Sequence, residues 1–172
     1  MSFEFRHLIP EDFDHSSRVW IYQSNRLFTI SEALEIEEML LQFTGNWKSH
    51  GAPVKGYGNL LFGQFLVLMA DETLIGVGGC STDSSVHFIK KIEAAFKVDM
   101  FNRQNLAFLV KDKVETIPMA QLTYALEQGF LTPDTIYFNN LVADKKNLFT
   151  QWMVPVKESW LATRISKQSC GL

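Results

Sequence analysis

Hydrophobic and polar positions fall along this chain in blocks that predict separate elements. Arg18 to Gln23, RVWIYQ, is β-branched and aromatic and reads as a first strand. Ser24-Asn25 is turn chemistry. Thr29 followed by Glu32 forms the T-x-x-E capping box that opens a helix. Ile36, Leu40, Phe43 and Trp47 then recur at helical spacing, with Ala33 one turn before. Glu32, Glu35, Glu37 and Glu38 put acid in the first turns, where the helix dipole favours it. The longest helix of the chain is therefore expected within Ile30–Lys48, stopped by Gly51 and Pro53. Two extended runs follow, Tyr57 to Leu61 and Gln64 to Met69, around Gly63. Asp71-Glu72 makes a turn, from which Leu74 to Val77 pairs back as a strand.

A second helix is predicted from about Asp83 to Phe96. Val86, Ile89, Ile92 and Phe96 form its buried stripe, and Asp83, His87, Lys90 and Ala94 face the other way. Leu106–Val110 and Val114–Ile117 flank Lys111-Asp112-Lys113, a hairpin signal. Pro118 opens a third helix, Met119 to Gln128, closed by Gly129. Thr135 to Phe138 reads as a short strand, and Asp144 to Trp152 as a last helix stopped before Pro155. This order predicts an α+β fold, a single domain with a mostly antiparallel sheet and helices packed on it. The ferredoxin-like split βαβ, with C-terminal additions, is the architecture it fits. Residues 1–16 read as an N-terminal arm, 17–162 as the globular domain and 163–172 as a flexible tail.

Composition narrows the function classes. The chain has 172 residues, 47% of them hydrophobic, enough for a packed core, with 14 Phe. A formal net charge of -3 argues against a general nucleic-acid binder, which needs a basic surface to release counterions. Cys80 and Cys170 lie far apart, so a disulfide framework is not expected and a reducing cytoplasm fits better. MSFEFRHLIPEDFDHSS carries acids where a secretory signal would carry positive charge. No apolar run approaches the roughly 20 residues of a membrane span; the longest, Asn59 to Ala70, is broken by Gly63 and Gln64. No membrane association is expected.

The densest chemistry lies where Gly78-Gly79 ends an apolar run and Cys80 precedes Ser81-Thr82-Asp83-Ser84-Ser85. A strand feeding a helix N-terminus there would offer unpaired amides and a positive dipole end. Gly79, Cys80, Ser81, Asp83, Ser84 and Ser85 are thus candidate ligand-binding residues. Cys80 is also a candidate nucleophile, because the dipole stabilises a thiolate. The competing readings are a small buried hydrophobe at Cys80 and ordinary capping by the hydroxyls. His87 stands one turn after Asp83, so the two can pair on an exposed face. Asp83, His87 and His50 are the candidate catalytic partners of Cys80, with His50 the better base if the fold brings it close. The alternatives are a solvated face for His87 and a C-terminal cation or cap for His50. Asn139 and Asn140 could bind a ligand through their amides or serve as a turn before the last helix. No H-x-x-x-H, C-x-x-C or H-E-x-x-H spacing occurs, so neither metal nor cofactor is expected.

Four segments carry a family resemblance: RVWIYQ at Arg18–Gln23, NWKSHG at Asn46–Gly51, GGCSTDSS at Gly78–Ser85 and FNNLV at Phe138–Val142. With Trp152-Met153-Val154-Pro155 they resemble a family of short bacterial proteins labelled "ABC transporter ATPase", over about Arg18 to Trp160. That family brings no established activity, and its label fails on residues. A nucleotide-binding P-loop needs G-x-x-x-x-G-K-[ST], whereas Lys48-Ser49 follows Trp47. ATPase activity is therefore expected to be absent. Two functions stay open. One is a small cytosolic binding or adaptor protein for a small anionic ligand or a protein partner. The other is a thiol-dependent or anion-binding enzyme centred on Gly78–Ser85. The sequence also leaves a homodimer open.

Overall fold

Residues 2–74 and 79–169 are described by a computed structural model, without the side chains of 79–81 and 167–169. In chain order they form β1 (Arg18–Gln23), α1 (Ile30–Asn46), β2 (Lys48–Ser49), β3 (Ala52–Pro53), β4 (Lys55–Leu61), β5 (Phe65–Asp71) and α2 (Gly79–Phe96). Then come β6 (Asn105–Val110), β7 (Lys113–Pro118), α3 (Leu122–Glu127), β8 (Ile136–Phe138), α4 (Lys145–Gln151), β9 (Met153–Pro155) and α5 (Ala162–Ser169). The fold is mixed α+β with antiparallel sheets. The chain divides into two compact units, one of Ser2–Asn102 with Val142–Leu148, the other of Arg103–Leu141 with the chain from Phe149 onward.

In the first unit β5 lies between β1 and β4 and is antiparallel to both, Arg18 opposite Ala70 and Lys55 opposite Asp71. The outer strands therefore run parallel to each other, joined by α1: a split β-α-β. Beside β1, where a ferredoxin-like sheet carries a fourth strand, stands one antiparallel bridge, Arg18 to Asp144. The helix α1 begins as its sequence dictates. Thr29 Oγ1 accepts from the Glu32 amide, and Glu32 Oε2 accepts from the Thr29 amide. Arg26 holds the Glu32 carboxylate with two hydrogen bonds of 2.8 Å, and its second nitrogen also donates to the Phe96 carbonyl. That guanidinium, with the Thr29 amide, lowers the Glu32 pKa to about 2.

Every residue of β5 is buried, as a central strand covered on both faces must be. Leu66, Leu68 and Ala70 point to one face and join Tyr22, Ile36, Leu40, Ile89 and Ile92 in a core under α1 and α2. The helix α1 sits close on β4 because Gly56 and Gly58 leave room. A Cβ on Gly58 would lie 2.8 Å from Leu40 Cδ2. The turn from β4 to β5 holds Phe62 and Gly63 at φ 54° and 65°, and Gln64 N donates to Leu61 O. Such a pair of positive angles matches the strand twist of a tight hairpin.

The N-terminal segment buries Phe5, Ile9 and Phe13. Lys145, 3% exposed, extends its ammonium to the carbonyls of Pro10, Glu11 and Phe13. Buried lysines persist only when their donors are satisfied, and these carbonyls do so. The second unit orders its strands β7-β6-β8-β9, with Lys111 and Asp112 at positive φ in the predicted hairpin turn. Leu106, Phe108, Ile117, Leu122, Tyr137, Val156 and Leu161 form its core.

Four expectations need correction. The longest helix is α2, with 18 residues against 17 in α1. It starts at Gly79 rather than near Asp83, because the hydroxyl run stays helical: Ser85 Oγ donates to the Thr82 carbonyl at 2.7 Å. Its buried stripe is Phe88, Ile89, Ile92 and Phe96 with Ser85, whereas Val86 is half-buried. Of the returning strand, Leu74 is 87% exposed and outside any strand. Ile75, Gly76, Val77 and Gly78 lie outside the described residues.

Candidate functional site

A cleft of the first unit lies between the C-terminal half of α1 and the N-terminal half of α2, with a volume of about 670 Å³. Its walls follow from two helical repeats. On α1, Met39, Gln42, Phe43 and Asn46 recur at three- and four-residue spacing and so share one edge. On α2, Asp83, His87 and Lys91 stand one turn apart, with Ser84 and Phe88 beside them. Trp47 and Lys48, at the exit of α1, complete the lining.

Aromatic contact joins the two helices. Phe43 stacks on Phe88 with ring centroids 4.5 Å apart and planes 20° from parallel. Phe43 also meets Trp47 at 4.9 Å, and Trp47 meets Trp20 at 5.5 Å. Trp47 is 3% exposed, and its indole nitrogen has no hydrogen-bond partner among the described residues. The polar rim of α1 is tied in place: Gln42 Nε2 donates to Glu38 Oε1 at 3.1 Å, and Asn46 Nδ2 to the Gln42 carbonyl at 2.9 Å. Lys48, Asp83, His87 and Lys91 are exposed. Among the lining side chains two lysines stand against one aspartate, with the Glu38 carboxylate on the rim.

The sequence candidates separate in space. Asp83, Ser84 and His87 line the cleft together. Ser85 turns the other way and is fully buried, its hydroxyl 3.0 Å from the Tyr22 hydroxyl. Since Ser85 gives its proton to Thr82, Tyr22 is the donor of this pair. Gly79, Cys80 and Ser81 occupy the first turn of α2, and their side chains lie outside the described residues. His50 sits exposed in the turn between β2 and β3 at φ 50°. Asn139 and Asn140 belong to the second unit, where both are hydrogen-bonded to Trp152. The Asn139 amide donates to the Trp152 carbonyl at 2.6 Å, and Asn140 Oδ1 accepts from Trp152 Nε1 at 3.0 Å.

Sequence reasoning missed the α1 wall, Lys48, Phe88 and Lys91. Phe43 and Trp47 were legible only as core residues, because a helical stripe does not say where the core ends and a cleft begins. A usable signal existed: two of the segments singled out, NWKSHG and GGCSTDSS, both contribute side chains to this cleft. Among the described residues no group of three or more His, Cys, Asp or Glu could hold a metal ion. No family model, no curated protein and no solved structure matches the chain.

Proposed function

We propose that the protein is a small binding protein of the cytosol whose site is the α1–α2 cleft, and that its ligand is a small monoanion with a flat apolar body. The observation that carries this reading is the stacked Phe43–Phe88 pair in a cleft that also holds Lys48 and Lys91. Its volume suits a small molecule, for which pockets of about 300–1,000 Å³ are usual. The packed aromatic rings give the cleft an apolar floor, and the lysines attract an anion. Binding is favoured over acyl transfer because Asp83 and His87 are exposed. A carboxylate orients an imidazole effectively only when both are shielded from water.

Fluorescence titration with anilinonaphthalene sulfonate tests this, with the uncharged phenylnaphthylamine as comparator. The sulfonate dye is expected to bind saturably at one site and to prefer the wild type over Lys48→Glu/Lys91→Glu by about tenfold or more. Absence of saturable binding, or equal binding to that variant, refutes the reading. Two lysines, answered in part by Asp83, suit a monoanion rather than a triphosphate. Calorimetry with Mg-ATP is accordingly expected to give no saturable heat.

A further inference from the structure

The helix α1 presents a third face that serves neither the core nor the cleft. Ile36 and Leu40 enter the core, and Met39, Gln42, Phe43 and Asn46 line the cleft. Ile30, Leu34 and Leu41 fall within about 40° of one another on the opposite side, at 100° per residue. They are 83%, 62% and 65% exposed. Single exposed aliphatics are ordinary, but three in line on one helix are an uncovered apolar stripe. Glu37 and Glu38 flank the stripe, one on each side, and both are exposed. No Lys, Arg or His occurs from Leu27 to Trp47, which carries Glu32, Glu35, Glu37 and Glu38.

We infer that this face is a docking surface for an amphipathic helix of another protein, one with an apolar seam flanked by Lys or Arg. The charge pattern selects this occupant. A second copy of the chain, packed antiparallel about a two-fold axis, would set Leu34 of each copy against Glu37 of the other. It would also crowd acids with no cation to answer them. An anionic membrane surface would be repelled by the same acids. A basic amphipathic helix buries the three aliphatics and neutralises Glu37 and Glu38 at once. The inference does not depend on a ligand in the cleft.

The test uses the full chain and three labelled peptides of about 18 residues, long enough for five turns. One has Leu at alternating three- and four-residue spacing with flanking Lys, the second has Glu in place of Lys, and the third has the first composition scrambled. Fluorescence anisotropy is expected to show saturable binding of the Lys peptide alone. Ile30→Ser and Leu34→Ser should each weaken it about tenfold. Glu37→Lys/Glu38→Lys should abolish binding of the Lys peptide and admit the Glu peptide. All of these side chains are exposed, and circular dichroism melts identify any variant that unfolds. Failure to bind, equal binding of the scrambled peptide, or indifference to the serine variants overturns the proposal. So does sedimentation of the free protein as a dimer that Leu34→Ser dissociates, which would make a second copy the occupant.

Discussion

Replacing Gly56 by alanine adds one methyl group against the wall of the cleft. An ideal Cβ there lies 2.7 Å from Trp47 Cε3 and 3.4 Å from Cζ3. The first distance is shorter than real Cβ contacts, so the ring or β4 must move. The ring is not a free end: it is 3% exposed, with Phe43 at 4.9 Å and Trp20 at 5.5 Å. Overpacking of this kind costs about 1–3 kcal/mol. Removing a glycine from a strand returns roughly 0.5–1 kcal/mol, since Gly56 is not at positive φ and alanine narrows the unfolded ensemble. The net expectation is a loss of about 1–2 kcal/mol, read as a lower urea midpoint by tryptophan fluorescence. Gly45→Ala is the control. No atom lies within 4 Å of its Cβ, and it sits near the end of α1. It should gain up to about 1 kcal/mol. Because Trp47 lines the cleft, Gly56→Ala should also weaken dye binding, whereas Gly45→Ala should not. The reasoning fails if both variants shift stability in the same direction, or if Gly56→Ala leaves the midpoint in place.

Other expectations follow from contacts already described. The Glu32 pKa is lowered from 4.5 to about 2, so its contribution is present above pH 4.5 and is lost as pH falls towards 2. Glu32→Gln should remove that part of the acid limb in a urea-midpoint series across this window, and an unchanged profile would refute the assignment. Ser85→Ala removes the 3.0 Å hydrogen bond between the Ser85 and Tyr22 hydroxyls and should cost about 0.5–1.5 kcal/mol. Tyr22→Phe on that background should cost little more, and additive losses in the double-mutant cycle would deny the bond. Leu40→Ala, at a side chain 2% exposed, should cost about 2–5 kcal/mol in chemical denaturation, and an unchanged midpoint would contradict its place in the core.

Much of the fold was legible because its signals are local. Arg18–Gln23 is a strand in sequence and in structure, and its β-branched and aromatic run needs no distant partner to be read. The capping box of Thr29 and Glu32 fixes the start of α1 within four consecutive residues. The turn at Lys111-Asp112 and the glycine after α3 are equally local. The α+β class follows from the order of such segments, and so does the split β-α-β at its centre.

The site was legible only in part. Asp83, Ser84 and His87 could be picked out as polar residues at a helix start, and they do share a cleft. Their neighbour Ser85 looked the same in sequence but is buried against Tyr22, because a step of one residue turns a helical side chain by about 100°. Asn139 and Asn140 had the right chemistry, yet they are hydrogen-bonded to Trp152 in the second unit. Phe43 and Phe88 stack although they lie on different helices, and nothing in either helix's periodicity announces the other. The sequence by itself determined most of the longer helices and strands and which of their faces are apolar, since those depend on spacing and caps, but not the short strands β2, β3 and β9. Only the tertiary structure decided which apolar faces meet, which polar side chains turn inward, and where two helices leave a space between them. Each of these depends on a contact between residues far apart in the chain.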